Sequence, residues 1–359
     1  MKPSRVCPLN KCTGCFACFN ICPSNAISFE EDKYGNVHPI IDIDKCTGCN
    51  LCRNTCPALS KNLKFKYPRK CYAAYSKSVG INIKSSSGGV ANELGKYIIS
   101  NNGIYYGVSS YLNNNEIVFE RISKTSELEK VQGSKYVHAL VRDTYKKIKQ
   151  DLEAKKEVLF IGSPCQIAGL KCYLKKEYSN LYTVDLICHG VPSQKLLKEE
   201  IGTDFDYVSF RQGNRFNLIA KNNGTTVYEK NKYSSIYYNL FLKGIIYREN
   251  CYTCKYARNE RIGDITIGDF WGLKDEKIKS KHGTSIVLLN TQKGEDLFNK
   301  ININKKEEII ELGLKNNPQL NYPTKKTIQH DEFLEQYINK SLNTYPMITQ
   351  MLLLLKRYY

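Results

Sequence analysis

The sequence has no apolar segment long enough to cross a membrane. Its longest apolar run, residues 351–355, is far shorter than the roughly 20 residues that a spanning helix needs. The first residues, Met-Lys-Pro-Ser-Arg-Val-Cys, also lack the apolar core of a secretory signal. A chain with 15 cysteines and no export signal is expected to use them for metal or redox chemistry in a reducing cytoplasm, because structural disulfides belong to oxidising compartments.

Common nucleotide- and nucleic-acid-binding motifs are also missing. No Gly-x-Gly-x-x-Gly follows a strand and no Walker A sequence is present, which argues against a standard dinucleotide or P-loop site. The chain likewise contains no RNP, zinc-finger or helix-turn-helix motif. Whatever organic group the chain binds is therefore expected in a less common kind of site.

The cysteines are concentrated in two copies of one pattern near the start of the chain. Each copy has three cysteines separated by two residues, then a fourth after three more residues, followed by proline. The copies are Cys12-x2-Cys15-x2-Cys18-x3-Cys22-Pro23 and Cys46-x2-Cys49-x2-Cys52-x3-Cys56-Pro57. This spacing is typical of a bacterial two-cluster ferredoxin, in which the fourth cysteine of each run crosses over to the other cluster.

The crossover predicts two interleaved ligand sets. One [4Fe–4S] cluster is expected on Cys12, Cys15, Cys18 and Cys56, and the other on Cys46, Cys49, Cys52 and Cys22. A zinc site or a disulfide framework would need only part of this doubled pattern, so neither explains all eight cysteines.

The basic charge of the chain has to be weighed against these clusters. The formal charge of +18 comes from 53 Lys and Arg against 35 Asp and Glu and is spread along the sequence. Thiolate-bound clusters add negative charge that the formal count ignores. We therefore expect an acidic redox partner or an anionic cofactor rather than nucleic acid.

Four of the remaining seven cysteines are placed where a second redox centre could form. Cys165 follows a predicted strand and a Gly-Ser-Pro turn, at the start of a helix, and Cys188 lies just past the next strand. Cys251 and Cys254 form a Cys-x2-Cys pair. These four could hold a third cluster, although the pair could instead bind zinc with a histidine, or the cysteines could be buried apolar residues. The spacing identifies no role for Cys7, Cys71 and Cys172.

An electron-carrying module attached to a larger α/β domain implies an organic partner that exchanges two electrons. A flavin is the usual converter between a hydride and the single electrons that clusters carry. The run Ser85–Ser86–Ser87–Gly88–Gly89 precedes a predicted helix and could cradle a phosphate on backbone N–H groups. A second segment, Gln-Gly-Ser-Lys-Tyr at 132–136, offers a cation, hydrogen-bond donors and an aromatic ring.

Several motifs in fixed order resemble the coenzyme F420 hydrogenase/dehydrogenase β-subunit family, with a two-cluster ferredoxin fused at the N-terminus. They are Ser-Gly-Gly-Val at 87–90, Gln-Gly-Ser-Lys-Tyr-Val at 132–137, Gly-Ser-Pro-Cys-Gln-Ile-Ala-Gly-Leu at 162–170, Asp-Leu-Ile-Cys-His-Gly-Val-Pro-Ser at 185–193, and Cys-x2-Cys with Gly-Asp-Ile-Thr-Ile-Gly-Asp-Phe-Trp-Gly within 251–272. The resemblance implies a [4Fe–4S] cluster on Cys165, Cys188, Cys251 and Cys254, and FAD beside it. It implies FAD contacts at Ser87, Gly88, Gly89, Val90, Ser134, Lys135, Tyr136, Gly162, Ser163 and Gln166.

The chain departs from the family pattern at one place. The family often has Phe-Arg-Asp-Lys where residues 210–213 read Phe-Arg-Gln-Gly. A charge that faces the substrate therefore differs, and the family's substrate is not carried over. Relatives also occur beside genes for cell-surface polysaccharide assembly.

The predicted fold is α+β and multidomain. A dicluster ferredoxin-like module at 1–65 is followed by an α/β flavin- and cluster-binding domain with a mostly parallel sheet, whose two parts are 70–145 and 146–315. A helical tail is predicted at 316–359. Its last helix has Ile348, Met351, Leu352 and Leu355 at helical spacing, which fits packing on the chain's own core, a dimer mate or, less favoured, a membrane surface.

Taken together, these features predict a cytoplasmic iron–sulfur flavoprotein oxidoreductase. It would pass electrons between three [4Fe–4S] clusters, FAD and a small organic substrate, either a deazaflavin-type coenzyme or a biosynthetic intermediate, for example in surface polysaccharide assembly. A redox partner protein or a soluble carrier would supply or receive the electrons. The alternative is a non-catalytic electron-transfer subunit that serves a separate enzyme.

Overall fold

A computed structural model describes residues 2–213 and 215–339 of the chain. The predicted terminal helix, with Ile348 to Leu355, lies outside these residues. Within the described ranges, no helix combines the length and the apolar character needed to span a membrane.

The described chain alternates strands and helices. The strands are β1 Ile27–Glu31, β2 Val37–Ile41, β3 Lys70–Ser76, β4 Ile104–Val108, β5 Phe119–Ile122, β6 Val158–Gly162, β7 Leu181–Leu186, β8 Tyr207–Ser209, β9 Asn217–Asn222, β10 Thr225–Asn231, β11 Ile265–Asp269, β12 Ser285–Leu289 and β13 Ile303–Glu308. The α-helices are α1 Ala17–Ile21, α2 Leu51–Asn54, α3 Val79–Lys84, α4 Val90–Ser100, α5 Thr144–Glu153, α6 Pro164–Leu174, α7 Gln194–Ile201, α8 Ile236–Leu242, α9 Gln292–Phe298, α10 Ile310–Lys315 and α11 Ile328–Asn339. Short 3-10 helices occur at Leu9–Lys11, Thr125–Val131, Glu249–Cys251, Glu276–Ile278 and Pro318–Leu320.

An eight-stranded sheet organises the larger domain, in the order β13-β3-β12-β11-β7-β6-β4-β5. The four central strands, β11, β7, β6 and β4, run parallel to one another. The strands on either side of them pair antiparallel. The predicted α/β domain is thus confirmed, with a parallel centre inside a mixed sheet.

Helices cover both faces of this sheet, because its central strands are apolar on both sides. In β6, Val158 and Phe160 pack into the core on one face, with residues of α5 and α6. Leu159 and Ile161 pack into the core on the other face, with residues of α4 and α9. Because β11, β7, β6 and β4 run parallel, their carboxyl ends lie at the same edge of the sheet. Ligands usually bind at this edge in such sheets.

Two alternating runs around a Lys-Tyr-Gly-Asn turn predict a β-hairpin at 26–44, and the antiparallel pair β1–β2 confirms it. The sequence at 241–248 also suggests a helix, and this prediction is wrong. The helix in that region, α8, begins after Ser235, whose Oγ accepts the Tyr238 N–H at 3.1 Å, and ends before Gly244 at φ +68°. A serine cap and a glycine with positive φ set these limits.

A small antiparallel sheet, β10-β9-β8, was not predicted. Its outer strand β10 is almost wholly exposed and polar, so it lacks the alternating apolar pattern that marks a half-buried strand.

The ferredoxin-like module packs directly on the larger domain. Asn20 Nδ2 donates to the Arg142 carbonyl at 2.7 Å, and Ser193 Oγ donates to the Tyr34 carbonyl at 2.6 Å. Farther along, Lys66 exchanges two backbone hydrogen bonds with Arg261. The boundaries predicted at 65, 145 and 315 stay predictions.

Candidate functional site

The first predicted ligand set surrounds a small buried gap in the N-terminal module. Cys12, Cys15, Cys18 and Cys56, here called the proximal set, all line this gap and are all buried. Burial raises the pKa of Cys15, and the neighbouring charge of Cys56 raises it further. The structure therefore brings Cys56 of the second run beside the first run, as the crossover requires.

The second predicted set lies closer to the surface. It consists of Cys22, Cys46, Cys49 and Cys52, here called the distal set. Burial raises the pKa of Cys52, and the nearby charges of Cys22, Cys49 and Cys46 add to the effect. Cys49 is exposed. The two sets adjoin each other, because the charge of Cys52 also acts on Cys18.

A fifth cysteine lies at the proximal set and was missed by the spacing. Cys7 lines the same gap, and hydrogen bonding with Cys12 and Cys56 is the main cause of its raised pKa. The same contact lowers the pKa of Cys12. Cys71, in contrast, is fully buried in an apolar core between β3, β12 and α10, so packing explains it.

The structure also gathers Cys165, Cys188, Cys251 and Cys254, here called the inner set. Burial raises the pKa of Cys165 to about 11 and that of Cys188 to about 12, and the charge of Cys254 adds to both. Cys251 is affected by all three of the others. Among the described residues, no three His, Cys, Asp or Glu side chains converge as they would on a single metal ion.

A buried ion pair connects the segments that carry the inner set. Asp185, near the end of β7, accepts hydrogen bonds from Arg261 Nη2 at 3.0 Å and from the Gly263 N–H at 2.8 Å. Arg261 in turn donates to the Tyr256 carbonyl at 3.0 Å. Both partners are almost completely buried. This network fixes the loop after Cys254 against the strand that leads to Cys188.

Helix α6 joins the inner and proximal sets. Cys165 lies in its first turn, and Gly169 lies one turn later. A Cβ atom added at Gly169 would be 3.1 Å from Cys15 Sγ and 2.7 Å from the Tyr145 hydroxyl. A glycine is therefore needed where the helix meets the proximal set.

A cavity of about 340 Å³ opens at the carboxyl ends of the parallel strands. Gly162 at the end of β6, Leu186 at the end of β7 and Asp269 at the end of β11 all line it. Cys188 also lines it, so one member of the inner set forms part of the cavity wall. This edge is the usual ligand-binding position in an open parallel sheet.

Nine of the ten predicted flavin contacts line this cavity, namely Ser87, Gly89, Val90, Ser134, Lys135, Tyr136, Gly162, Ser163 and Gln166. Gly88 does not. Its N–H donates to Ser285 Oγ at 2.9 Å, and an added Cβ would lie 2.2 Å from the Ala74 carbonyl oxygen. Gly88 therefore faces β3 and β12 rather than the cavity.

Hydrogen bonds hold the two predicted flavin loops together. The Ser134 N–H donates to Ser86 Oγ at 2.7 Å, and Gln132 Nε2 donates to Ser85 Oγ at 2.9 Å. Gly89 and Gly133 have φ of +79° and +83°, conformations that favour glycine. The loops form one wall of the cavity, which Ser85 and Ser86 of the predicted serine–glycine run also line.

Among the residues that the structure describes, Lys135 is the one lysine on the cavity wall. Its Nζ donates to the carbonyls of Gln132 at 2.9 Å and Gly133 at 3.1 Å, and it forms no ion pair within the described ranges. Burial lowers the pKa of Lys135 to about 7. An anion in the cavity would relieve this penalty, because it would favour the charged form.

Ser163 and Gln166 are engaged mainly by their own helix. They form a capping box at the start of α6, and Gln166 Nε2 also donates to the Ala139 carbonyl at 3.0 Å. These residues shape the cavity rather than offering free polar groups. Ser87 differs, because its buried Oγ has no hydrogen-bond partner in the described structure.

The unpartnered Ser87 hydroxyl, the lone lysine and the aromatic wall fit an elongated anionic aromatic group such as FAD. Tyr136 stacks on Phe241 with ring centroids 4.8 Å apart, which gives the wall a flat apolar surface. Free donors and a cation suit a pyrophosphate, and aromatic surface suits a ring system.

Arg211 is a second charged residue on the cavity wall, and it was not among the predicted site residues. Arg211, in the segment where the chain departs from the family pattern, donates from Nη1 to Asp269 Oδ2 at 2.5 Å. Its guanidinium lies 4.4 Å from the Phe216 ring centroid. Trp271, the only tryptophan, is half exposed nearby on the cavity wall. Residues this far apart in sequence could be grouped only by the fold.

The fold and the grouped cysteines define an iron–sulfur α/β protein. Residues 11–59 match the family model described as a 4Fe-4S dicluster domain. Residues 155–313 match the model that describes the C terminus of the beta chain of coenzyme F420 hydrogenase/dehydrogenase. The two matches confirm the resemblance found in the motifs, to a dicluster ferredoxin over 11–59 and to this redox family over 155–313.

Among solved structures, a chain of the F420-reducing [NiFe] hydrogenase complex from Methanosarcina barkeri, studied by xenon derivatization, is similar to this chain. The two are 16% identical, the match covers 79% of this chain and 96% of that chain, and the TM-score is 0.48. No curated protein gives a significant sequence match.

Proposed function

We propose that this protein is an FAD-dependent iron–sulfur oxidoreductase that acts on a small organic substrate. The observation that carries the proposal is the position of Cys188, which belongs to the inner cysteine set and also lines the cavity at the strand ends. A redox centre there would adjoin whatever binds in the cavity.

The three cysteine sets are the proposed ligands of three [4Fe–4S] clusters. Each set contains four cysteines, the number of thiolates that such a cluster uses. The sets follow one another from the exposed Cys49, through the proximal set beside α6, to the cavity wall. This order suits a protein that carries electrons between its surface and a buried site.

The cavity is the proposed FAD site. Bound FAD would supply conversion between the single electrons of iron–sulfur clusters and the electron pair of an organic substrate. The loops at 85–89 and 132–136 would bind its phosphates through backbone N–H groups, the Ser87 hydroxyl and Lys135. Tyr136 would pack against the aromatic ring system of FAD.

The remaining wall, with the Arg211–Asp269 pair and Trp271, is proposed to face the substrate. A deazaflavin-type coenzyme or a biosynthetic intermediate, for example of surface polysaccharide assembly, is the proposed class. The family's description as a β subunit implies partner proteins, and a partner or soluble carrier would exchange electrons at the distal set.

The alternative is a non-catalytic electron-transfer subunit. The exposure of Cys49 is compatible with this function too, since the distal set could exchange electrons with another protein in either function. Turnover of an organic substrate by the purified chain alone would separate the two functions, because an electron carrier has no substrate of its own.

Cofactor analysis of anaerobically purified protein tests the proposal directly. We expect about twelve irons, an equal amount of acid-labile sulfide and one FAD per chain. About eight irons with full flavin would eliminate the inner cluster. Zinc in place of iron would instead support a structural metal at Cys251 and Cys254, and absence of flavin would contradict the oxidoreductase.

Replacing Lys135 by methionine is expected to weaken FAD binding by about ten- to a hundred-fold, the effect of losing a charge-assisted hydrogen bond. Burial lowers the pKa of Lys135 to about 7, and bound phosphate would raise it. FAD affinity of the native chain should therefore fall as pH rises above 7, by at most about ten-fold per pH unit.

FAD titration of the flavin-depleted chain across this pH range gives the measurement. Lys84→Met is the matched control, since Lys84 precedes the other proposed phosphate loop, at 85–89, but is largely exposed. Equal affinities of the native and Lys135→Met proteins, or a pH dependence that persists in the variant, would place the flavin phosphates away from Lys135.

A further inference from the structure

Arg248 is a buried cation without a carboxylate partner. Its side chain is 2% exposed. The other two buried arginines of the described chain, Arg211 and Arg261, pair with Asp269 and Asp185. Arg248 pairs with no Asp or Glu in the described ranges, and its Nη1 has no hydrogen-bond partner. An uncompensated buried charge is strongly destabilising, so negative charge must be supplied by another group.

The guanidinium of Arg248 lies at the proximal set. Its Nη2 donates to the carbonyl of Cys12 at 3.2 Å and to that of Val37 at 3.1 Å. A Cβ added at Gly14, between Cys12 and Cys15, would be 3.5 Å from Arg248 Cζ. The cation is thus held against the backbone of the segment that presents two of the proximal cysteines.

The backbone of Arg248 lies at the inner set. Its N–H donates to the Val191 carbonyl at 3.0 Å, and its carbonyl accepts the Cys251 N–H at 2.9 Å. The guanidinium is also close enough to Cys12 of the proximal set and to Cys165 of the inner set to interact electrostatically with both. One residue therefore touches both cysteine groups.

The other titratable side chains around Arg248 do not neutralise it. His138 and His38 are the neighbouring titratable side chains, and an imidazole supplies no negative charge whether it is neutral or protonated. The proximal cysteines can carry negative charge, and the guanidinium lies against their segment through the Cys12 carbonyl.

We infer that Arg248 is an electrostatic link between the proximal and inner clusters, compensating their negative charge and raising the reduction potentials of both. The inference rests on the proposed cluster ligation. Reduction adds negative charge to a cluster, and a fixed cation nearby stabilises the reduced form. Because the cation lies between the two clusters, it would raise both reduction potentials together, so that the difference between them stays small enough for electron transfer in either direction.

Redox titration monitored by electron paramagnetic resonance tests this inference on the cluster-loaded protein. Arg248→Gln keeps an N–H donor without the charge, Arg248→Met removes both, and Arg248→Lys keeps the charge. We expect a negative shift of the proximal and inner potentials in Arg248→Gln and Arg248→Met, and near-native potentials in Arg248→Lys. The distal cluster is the internal control and should not shift.

Unchanged proximal and inner potentials in the glutamine and methionine variants would overturn the inference. So would an equal shift of all three clusters, or a lysine variant that behaves like methionine, because the charge would then not be the cause. Loss of the proximal and inner clusters from Arg248→Gln and Arg248→Met, with retention in Arg248→Lys, would support the charge requirement. A native protein with fewer than three clusters would instead contradict the proposed ligation.

Discussion

Replacing Asp185 by alanine is expected to lower the free energy of unfolding by about 3–5 kcal/mol, because it leaves Arg261 as an unpaired buried cation. The carboxylate also accepts the Ile262 N–H at 3.2 Å, the Gly263 N–H at 2.8 Å and the Thr266 hydroxyl at 2.6 Å, so donors on four residues of the stretch 261–266 lose an acceptor. The loop after Cys254 should loosen, and the proposed inner cluster should be lost before the other two. Denaturant unfolding under anaerobic conditions, with iron counted per chain, measures both effects.

Glu260→Ala is the matched control for this variant. Glu260 pairs with Arg258 in the same loop, but both side chains are exposed, at 40% and 43%. Such pairs contribute about 0–1 kcal/mol. If Asp185→Ala cost no more than Glu260→Ala, or if it released iron equally from all three cysteine sets, the ion pair would not be what holds the inner set in position.

The cysteine groups show how far the sequence alone can lead. Covalent spacing within 12–22 and 46–56 already limits which thiols can meet, so the proximal and distal sets were predicted from the residues. The inner set spans positions 165 to 254 and depends on where β6 and β7 end. For that reason spacing alone did not decide between a cluster, a zinc site and buried apolar cysteines. Only the family resemblance implied that these four cysteines bind one cluster.

Groups that act through tertiary packing were not predictable. Cys7 reaches Cys12 and Cys56 through the folding of the N-terminal segment, and no pattern marks it. Arg248 is conspicuous only once its burial and its lack of a carboxylate partner are known. The mostly parallel sheet, in contrast, was predicted from the alternation of strands and helices along the sequence.

Gly88 and Gly89, in the proposed phosphate loop at 85–89, show that a motif can locate a loop without showing which of its residues face the cavity. Gly88 and Gly89 are adjacent, yet Gly88 faces the sheet and Gly89 lines the cavity. A side chain at Gly89 would meet Ile81 Cγ2 at 2.9 Å and would be strained at φ +79°. Gly89→Val would thus disturb the loop whether or not a phosphate binds there, so Lys135 gives the more selective test of the flavin site.

Replacing Gly169 by valine is expected to increase the distance between the proposed proximal and inner clusters. The added Cβ would lie 3.1 Å from Cys15 Sγ and 2.7 Å from the Tyr145 hydroxyl, so either α6 or the ferredoxin-like module must move. Overpacking of this kind costs about 1–3 kcal/mol. Magnetic coupling between two reduced clusters weakens with distance, and it can be measured by electron paramagnetic resonance without any substrate. We expect this coupling to be weaker in Gly169→Val than in the native protein.

Gly95→Val provides the matched control, because it places an equally crowded side chain in another helix. A Cβ at Gly95 would lie 2.7 Å from the Tyr105 ring, in the core on the opposite face of the sheet. Both variants should lose similar stability, but only Gly169→Val should change the coupling. An unchanged coupling in Gly169→Val, with all clusters retained, would mean that contact between α6 and Cys15 does not set the distance between the centres. An equal change in both variants would mean that general destabilisation, rather than this contact, alters the coupling.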